Sequence, residues 1–326
     1  MTAHVLLNPA ARGGRTRSLA ARIGRALVEA GIEATIRTTA VPGDAERWAR
    51  ELGAEGATVV VAGGDGTVHE VANGLAGTAG TMGVIPVGTG NDYANALGMA
   101  TSPEAAARQL VTARPRPIDV GRLAWTDARG EHRRVVANAV GAGFDGHAAG
   151  IAGETKWLGG RAAYLAAVFR TLRQWPALAP HVRTEAEGAD IAYDGRLFLV
   201  EVGVGHSVGG GFLLTPDAVP DDGLLDVCLV RQLPTARALR LLPLTFSGGH
   251  VSAPEVSMAR TVRFSLASDG PLAIQADGEV LTTDARAFSV TIDPDALSVF
   301  APRLDTRDAG SHSSGPSSLA GSVRRL

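Results

Sequence analysis

The first 120 residues alternate between short apolar runs and longer segments that carry one apolar face. Short apolar runs predict buried strands, and apolar positions repeating every three or four residues predict helices between them. Strands that alternate with helices are typical of a parallel sheet with helices on both faces. The predicted strands are residues 5–7, 34–37, 58–62 and 83–86, and the predicted helices are residues 19–30 and 44–52.

From about residue 121 to residue 295 the pattern becomes rich in strands, which predicts a second, β-dominated domain. We therefore expect an α/β domain over residues 1–120 and a β-rich domain over residues 121–295. Residues 304–326 are rich in Ser and Gly without an apolar face, so we expect a disordered tail. The second domain has predicted strands at residues 135–140, 198–204, 224–230, 261–266, 272–276 and 288–292, and predicted helices at residues 161–174 and 235–244.

Three predicted strands of the first domain run into loops of small residues. These loops read NPAARGGR at residues 8–15, GGDGT at residues 63–67 and GTGND at residues 88–92. A glycine-rich loop before a helix lets backbone N–H groups approach a phosphate, and parallel strands end at one edge of their sheet. The loops therefore predict one phosphate-binding site. Tight turns without a ligand are the alternative, because short glycine patterns also occur there.

Composition narrows the function only slightly. The chain has 326 residues, of which 31 are basic and 33 acidic, so its net charge is −2. No overall field attracts nucleic acid, and any membrane contact is expected to be local. The single Cys228 lies in a strand-like stretch and is expected to be a buried thiol. The sequence shows neither a signal-peptide pattern nor an apolar run of membrane-spanning length, which predicts a cytoplasmic protein.

Seven sequence blocks lie in order along residues 4–303. They are NP with GG at residues 8–14, GGDGT with Glu70 and NG at residues 63–74, PVGTGND at residues 86–92, IDVG at residues 118–121, Asn138 with GAGFD at residues 141–145, PDA and DDGL between residues 216 and 224, and DGE at residues 277–279. With these blocks the chain resembles the diacylglycerol kinase-like lipid kinases, which include sphingosine and ceramide kinases and bacterial kinases of diacylglycerol or phosphatidylglycerol. NAD kinases share GGDG and a related two-domain plan, but GTGND and DGE resemble the lipid kinases more closely.

The resemblance implies a doubly wound, NAD kinase/diacylglycerol kinase-like domain that binds ATP, followed by a sandwich-like β-rich domain that binds lipid. It also implies that residues 296–303 return to the first domain. Arg12 or Arg15 would neutralise phosphate charge, and an exposed loop position is the alternative for both and for Thr39. The implied nucleotide-binding residues are Asn8, Gly13, Thr39, Gly64, Asp65, Gly66, Thr67, Glu70 and Thr89.

Three carboxylates stand at or just after predicted strand ends of the first domain, namely Asp65, Asp92 and Asp119. The resemblance implies that they meet at the cleft between the domains. Carboxylates that share a small volume need cations or hydrogen-bond donors, which favours Mg²⁺ bound directly or through water. The alternative is a structural role, in which Asp92 caps a helix over residues 93–97 and Asp119 ends a strand.

Two further acidic segments lie in the second domain. The resemblance implies a structural Mg²⁺ bound by the Asp222 carboxylate and the carbonyl groups of Val219 and Leu224, with a plain Asp-Gly turn as the alternative. It also implies that Glu279 accepts a proton from the lipid hydroxyl, with Asp277 as partner or substitute. Without the resemblance, the Asp-Gly pair before Glu279 predicts only a hairpin turn.

The histidines show no zinc-like spacing. His69 occupies a position where relatives often carry Asn, and we favour solvent exposure over contact with nucleotide. Residues 239–246 are apolar and lie near basic residues. This segment would cover an acyl-chain pocket or rest on a bilayer, although a core helix is the preferred interpretation. The histidines considered are His69, His147, His206 and His250, and the basic residues are Arg231, Arg237 and Arg240.

The resulting hypothesis is a Mg²⁺-dependent lipid kinase that transfers the γ-phosphate of ATP to a lipid hydroxyl, with Glu279 as general base. The substrate would be diacylglycerol or a related lipid such as phosphatidylglycerol or a sphingoid base. The enzyme would have no nucleic-acid partner and would contact the inner membrane surface peripherally. The sequence leaves open whether it forms a homodimer. The alternatives are an NAD kinase-type phosphotransferase and a nucleotide-binding regulatory module without turnover.

Overall fold

One hydrogen-bonded sheet of 13 strands runs through residues 1–9, 16–154 and 160–302, which this computed structural model describes. The tail after residue 302, for which disorder was predicted, lies outside the described residues. The strands are β1 Thr2–Leu7, β2 Glu33–Thr38, β3 Thr58–Gly63, β4 Thr81–Pro86, β5 Arg114–Asp127, β6 Gly130–Val136, β7 Ala139–Gly143, β8 His181–Ala186, β9 Tyr193–Gly203, β10 Leu225–Arg231, β11 Val256–Thr261, β12 Arg263–Ala276 and β13 Glu279–Ala301. The helices are α1 Thr16–Glu29, α2 Asp44–Ala54, α3 Asp65–Leu75, α4 Asp92–Ala96, α5 Pro103–Thr112, α6 Phe144–Glu154, α7 Gly160–Leu178 and α8 Thr235–Leu241.

The first half of the sheet is parallel, in the order β13-β4-β3-β1-β2. Residues 59–62 of β3 are fully buried, because helices cover both faces of a parallel sheet. Helix α1 packs against α5, and α2 packs against α3. The predicted α/β arrangement of this half is confirmed.

The second half is antiparallel, as the strand-rich pattern predicted. It continues the sheet in the order β11-β10-β9-β7-β12-β13, and β8 pairs with both β9 and β12. Phe264, Leu266 and Ile274 are buried in the apolar core of this half. A separate cluster that includes Phe144, Trp175 and Cys228 lies with helices α6 to α8. Cys228 is fully buried as expected, and burial raises the pKa of its thiol.

Strand β13 is much longer than the strand predicted over residues 288–292, and along most of its length it pairs with β5, which was not among the predicted strands. Strand β13 pairs with β12 at one end and with β4 at the other, so it belongs to both halves of the sheet. Strand β5 crosses residue 120, the predicted boundary. The domain bounds themselves stay a prediction.

The strand predicted over residues 135–140 is wrong. Strand β6 ends at Val136 and β7 begins at Ala139. The cause is a distant carboxylate, because the N–H groups of residues 137–139 all donate to Asp277. The helix predicted over residues 235–244 is also divided, and its second part is a 3₁₀ helix at Leu242–Phe246. None of the helices in the described part of the chain is long and apolar enough to span a membrane.

Gly74 allows α3 to pack closely against α2. A Cβ atom at this position would lie 2.7 Å from the Ala49 Cβ and would also meet the Glu46 carbonyl oxygen. Gly74→Ala is therefore expected to lower the free energy of unfolding by about 1–3 kcal/mol, because the backbones must separate. Urea unfolding followed by circular dichroism measures this change.

The matched control is Gly150→Ala in α6, where an added Cβ would meet no atom of the described residues within 4 Å. This change is expected to be neutral or to stabilise by up to about 1 kcal/mol, because Ala has the higher helix propensity. Equal losses of stability in the two variants would contradict the packing argument.

Candidate active site

Two glycine loops meet at the carboxyl edge of the parallel strands. Strand β3 ends at Gly63 and β4 ends at Pro86. A Cβ atom on Gly88 would lie only 2.5 Å from the Cα atom of Gly64, so this approach leaves no room for a side chain. The Val87 N–H also donates to the Gly63 carbonyl at 3.0 Å. The two loops therefore form one rim.

The first turn of α3 opens at this rim. The helix begins at Asp65 directly after Gly64, an N-cap residue without a side chain to cap it. A Cβ atom on Gly66 would meet none of the described residues within 4 Å, so they leave the space beside this turn open. The Asn8 side-chain amide donates to the Thr67 hydroxyl at 2.8 Å, which joins the end of β1 to the helix. Free N–H groups and the helix dipole make such a turn favourable for an anion.

The other residues that the resemblance implies for nucleotide binding lie in different environments. Thr39 is buried beyond the end of β2, where its N–H donates to the Leu7 carbonyl at 2.9 Å. Thr89 is exposed in the loop between β4 and α4. Glu70 accepts the Ala45 N–H at 3.2 Å and so caps the start of α2. Three positions lie outside the described residues, namely Arg12, Gly13 and Arg15.

The structure pairs Asp65 with Asp92. A Cβ atom on Gly90 would lie 2.8 Å from an Asp65 oxygen and 3.2 Å from an Asp92 oxygen, so both carboxylates face one small space. Burial, and next the charge of Asp92, raise the pKa of Asp65 to about 6. Burial also raises the pKa of Asp92. The pair therefore carries negative charge in a space that disfavours it.

Hydrogen bonds to this pair come from both halves of the molecule. Asp65 accepts the Asn91 N–H at 2.8 Å, within the first half. Asp92 accepts the Gly210 N–H at 2.7 Å and the Ser207 hydroxyl at 3.2 Å, from the loop that follows β9. The carboxylate pair therefore lies where the second half closes over the glycine rim.

Asp119 does not belong to the Asp65/Asp92 pair and accepts hydrogen bonds from other groups. Its carboxylate accepts the Gly223 N–H at 2.7 Å and the Asp295 N–H at 3.0 Å. Burial raises the pKa of Asp119, and the charges of Asp295 and Asp222 act in the same direction. The structure therefore brings two of the three predicted carboxylates together and puts the third beside the loop over residues 219–224.

That loop was implied to hold a structural Mg²⁺. Asp222 accepts the Leu224 N–H at 3.0 Å and pairs with Arg260. Within the described residues, no group of three or more His, Cys, Asp or Glu side chains is arranged for a metal. The assignment of a structural Mg²⁺ to Val219, Asp222 and Leu224 stays a prediction.

The Asp-Gly pair closes the hairpin between β12 and β13, as the sequence predicted. Asp277 and Gly278 both have positive φ angles, 49° and 82°. The Asp277 carboxylate turns inward and accepts the N–H groups of residues 137–139 at 2.8–2.9 Å. Burial opposes ionisation, but contact with His69 and these N–H groups keeps the pKa of Asp277 below its usual value.

The expectation that His69 faces solvent is wrong. Its side chain is 1% exposed, and its Nδ1 atom contacts the Asp277 carboxylate. Its Nε2 atom accepts a hydrogen bond from the Arg134 Nε atom at 2.6 Å. Arg134 also donates from Nη2 to the Glu279 carboxylate at 2.9 Å, and Glu279 is 54% exposed beside the hairpin turn. The sequence offered no signal for Arg134, which belongs to none of the recognised blocks.

Glu201 was also missed, although a Glu inside the apolar strand segment FLVEVGV is itself a signal. It is fully buried, and burial, followed by the charges of Asp145, Asp277 and Asp92, raises its pKa well above the usual value. Asp145 accepts a hydrogen bond from the Gln275 side chain at 2.7 Å. The interior around Glu201, between Asp92 and Asp277, is therefore acidic.

An apolar cavity lies between β9, β10 and helices α6 to α8. Its empty space, including its open mouth, is about 670 Å³. Segment 239–246 is divided between two environments, since Leu241 lines the cavity while Leu244 and Phe246 are exposed. The lining residues are Phe144, Asp145, Val168, Leu172, Phe198, Leu199, Phe212, Leu214, Val230, Leu233, Ala238, Leu241, Leu242, Thr245, His250 and Val256.

Comparison with known proteins agrees with this geometry. Residues 2–123 match the model of the diacylglycerol kinase catalytic domain, and residues 138–301 match the YegS C-terminal NAD kinase beta sandwich-like domain. The chain belongs to the diacylglycerol kinase family. This family consists of lipid kinases, which are phosphotransferases with an alcohol acceptor. The predicted family, fold class and enzyme class are confirmed.

The relatives are similar along most of their length. A probable lipid kinase YegS-like of Xanthomonas oryzae pv. oryzae (strain MAFF 311018) is 35% identical over 283 residues, which are 83% of this chain and 88% of the relative. A diacylglycerol kinase of Mycobacterium tuberculosis (strain ATCC 25618 / H37Rv) is 35% identical over 247 residues, covering 75% and 77%. A putative diacylglycerol kinase from Bacillus anthracis str. Sterne has the same fold, with TM-score 0.72, 22% identity and coverage of 92% and 97%.

Because the pKa of Asp65 is raised in the folded protein, Asp65 is expected to make the free energy of unfolding fall as pH rises. Its pKa is about 6 in the folded protein and near its ordinary value of 3.8 when unfolded. The unfolded chain therefore loses this proton at lower pH, and the folded state loses stability between these values. Asp65→Asn removes the titration. The difference in unfolding free energy, variant minus wild type, should be about 1 kcal/mol larger at about pH 7.5 than at about pH 5.

Urea titrations without divalent cations measure this difference. Asp284→Asn, which removes an exposed carboxylate, is the control. A difference for Asp65→Asn that is constant with pH would contradict the raised pKa of Asp65.

Proposed function

We propose that the protein transfers the γ-phosphate of ATP to the hydroxyl group of diacylglycerol or a related lipid. The main observation in favour of this proposal is that helix α3 lies beside both the proposed phosphate site and the hairpin turn that carries the proposed base. Its first turn opens at the glycine rim, and His69, about one turn further along, contacts Asp277. Asp277 precedes Glu279 by two residues. A phosphate at the rim and a hydroxyl beside Glu279 would thus lie against one helix.

The nucleotide phosphates would lie at the rim formed by Gly64 and Gly88, next to the open first turn of α3. The Asp65 and Asp92 carboxylates fit a divalent cation, because they face one space and burial raises the pKa of both. Mg²⁺ bound there would neutralise phosphate charge, which is the chemistry that a metal supplies in phosphoryl transfer.

Glu279 is the group best placed to accept the proton of the attacking hydroxyl. Its carboxylate is exposed beside the hairpin turn, where a substrate can approach it. Asp277 is unsuited to this role because it is buried and its oxygens already accept three backbone N–H groups. Asp277 therefore acts in this proposal as the anchor of the turn that presents Glu279.

The apolar cavity would hold a hydrocarbon chain of the lipid. Its walls are formed by Leu, Val, Phe and Ala side chains, and Asp145 is one of its few polar lining residues. Asp145 acts electrostatically on Glu201, which also responds to the charges of Asp92 and Asp277. We place the lipid hydroxyl on the side of Asp145, because the Asp145 carboxylate bonds to the Gln275 side chain, two residues before Asp277.

Apolar side chains near the cavity support peripheral contact with a membrane. Phe169 is 52% exposed and follows the lining residue Val168, and Leu244 and Phe246 flank the lining residue Thr245. An exposed apolar surface next to a lipid cavity would allow a substrate to move from a bilayer into the protein. We therefore include the inner membrane surface in the proposal as the place of reaction.

Glu279→Gln tests the proposed base. It should lower kcat for phosphorylation of diacylglycerol by about 10²–10⁴-fold, because a general base typically contributes that factor. The measurement is transfer of labelled phosphate from ATP to diacylglycerol, phosphatidylglycerol or sphingoid bases in mixed micelles with Mg²⁺. Glu185→Gln, which changes an exposed carboxylate of β8, should leave kcat unchanged. Full activity of Glu279→Gln would remove the base assignment, and NADP formation from NAD would favour the alternative kinase.

The double substitution Leu244→Ser and Phe246→Ser tests membrane contact. Loss of two exposed apolar side chains should weaken binding to anionic vesicles by about tenfold or more, because burial of each is favourable by about 1–2 kcal/mol. Sedimentation with phosphatidylglycerol vesicles measures the partition. Val28→Ser is the control, because Val28 is 75% exposed on α1 in the first half of the molecule. Equal partition of both variants would contradict this surface.

A further inference from the structure

Four side chains form a continuous series of contacts from the core to the proposed base. His69 contacts Asp277, Arg134 donates from Nε to His69 at 2.6 Å, and Arg134 donates from Nη2 to Glu279 at 2.9 Å. These side chains come from α3, β6 and the two sides of the hairpin turn. We call Asp277, His69, Arg134 and Glu279 the four-residue network.

The imidazole ring in this network has a defined orientation. Arg134 has no acceptor atom, so the His69 Nε2 atom must accept and the Nδ1 atom must carry the hydrogen donated to Asp277. The Asn73 side-chain amide lies 3.1 Å from the same Nε2 atom. Asn73 is itself fixed by the N–H and the carbonyl of Val135, each at 3.0 Å. The ring is therefore held from both edges.

Burial decreases along the network toward the cleft. His69 is 1% exposed, the Arg134 side chain is 25% exposed, and the Glu279 side chain is 54% exposed. An exposed Glu side chain samples several rotamers, and selecting one has an entropic cost. An arginine whose Nε–H already bonds to a buried histidine presents its other N–H donors in fixed directions, because the guanidinium group is planar. The Glu279 carboxylate thus has a rigid partner although it lies near solvent.

We propose that Arg134 and His69 are positioning residues for Glu279. His69 fixes the guanidinium group of Arg134, and Arg134 holds the Glu279 carboxylate where the acceptor hydroxyl arrives. This inference rests on the proposed role of Glu279 as general base. Orientation matters because phosphoryl transfer depends mainly on positioning, and a displacement of about 1 Å can cost about 10²-fold in rate.

Two amide substitutions at His69 separate its two contacts. In Gln the terminal amide takes the place of Nε2, so His69→Gln keeps an acceptor for Arg134 and loses the donor to Asp277. In Asn the amide takes the place of Nδ1, so His69→Asn keeps the donor to Asp277 and loses the acceptor for Arg134. If His69 has a positioning role, kcat should depend on its contact with Arg134, whereas the melting temperature should depend on its contact with Asp277.

We expect His69→Asn to lower kcat about tenfold or more, with an unchanged KM for ATP and a melting temperature near that of the wild type. His69→Gln should keep kcat within about threefold while melting at a lower temperature. Arg134→Gln should lower kcat as far as His69→Asn does. The double variant His69→Asn with Arg134→Gln should be no slower than either single variant, because both remove the same constraint.

The control is Arg133→Gln, since Arg133 is the exposed neighbour of Arg134 on β6 and its side chain points to the other face. It should keep wild-type kcat. All variants are assayed with labelled ATP and diacylglycerol micelles, and their melting temperatures are measured in parallel.

The outcomes distinguish this inference from the proposed function. Lipid phosphorylation that is lost in Glu279→Gln but unchanged in His69→Asn and Arg134→Gln would overturn the positioning role alone. Equal losses of kcat in His69→Asn and His69→Gln, in step with lower melting temperatures, would also overturn it. Absence of lipid phosphorylation by the wild-type protein, or full activity of Glu279→Gln, would overturn both proposals.

Discussion

A buried carboxylate organises the centre of this molecule. A charge removed from water is tolerated only where donors surround it, and Asp277 receives three N–H groups and a histidine. Those three N–H groups are withdrawn from strand pairing, so β6 and β7 are separate strands. The histidine lies on α3, the helix that begins at the glycine rim. One side chain therefore sets the positions of a strand break, a hairpin and a helix.

The two carboxylates near the glycine rim, Asp65 and Asp92, are less well compensated for their burial than Asp277 is. Burial raises the pKa of Asp65 and of Asp92, and both face the space next to Gly90. Their hydrogen bonds offset only part of the cost of burying two like charges. Burial of this pair lowers folding stability, and under the proposed function a bound cation would offset that loss, which is a recurrent compromise at functional sites. Asp277 is thus a well-compensated structural anchor, whereas the Asp65/Asp92 pair is only partly compensated.

Local features and the meeting of the glycine loops at one sheet edge were predictable from the sequence, whereas contacts between the two halves of the chain were not. Apolar runs identified β3, and the GGDGT block identified the loop before α3, because each depends on neighbouring residues. The strand expected over residues 135–140 failed because its N–H groups bind a carboxylate about 140 positions away. His69 was misjudged for the same reason, since its partner is 208 positions away. Arg134 lies in no recognised motif, and only the structure shows that it contacts His69 on one side and Glu279 on the other.

The shared strands β5 and β13 determine how the two halves can move. A tether of one loop would allow free rotation, but two paired strands resist it because their backbone hydrogen bonds must deform together. Pairing shifts between Asp293 and Leu297, where Asp295 has a φ angle of 55°. The bulge interrupts the ladder of backbone hydrogen bonds, and Asp119 stabilises it by accepting the Asp295 N–H. A rotation of one half against the other would therefore have to bend this two-stranded connection and act against the Asp119 hydrogen bond.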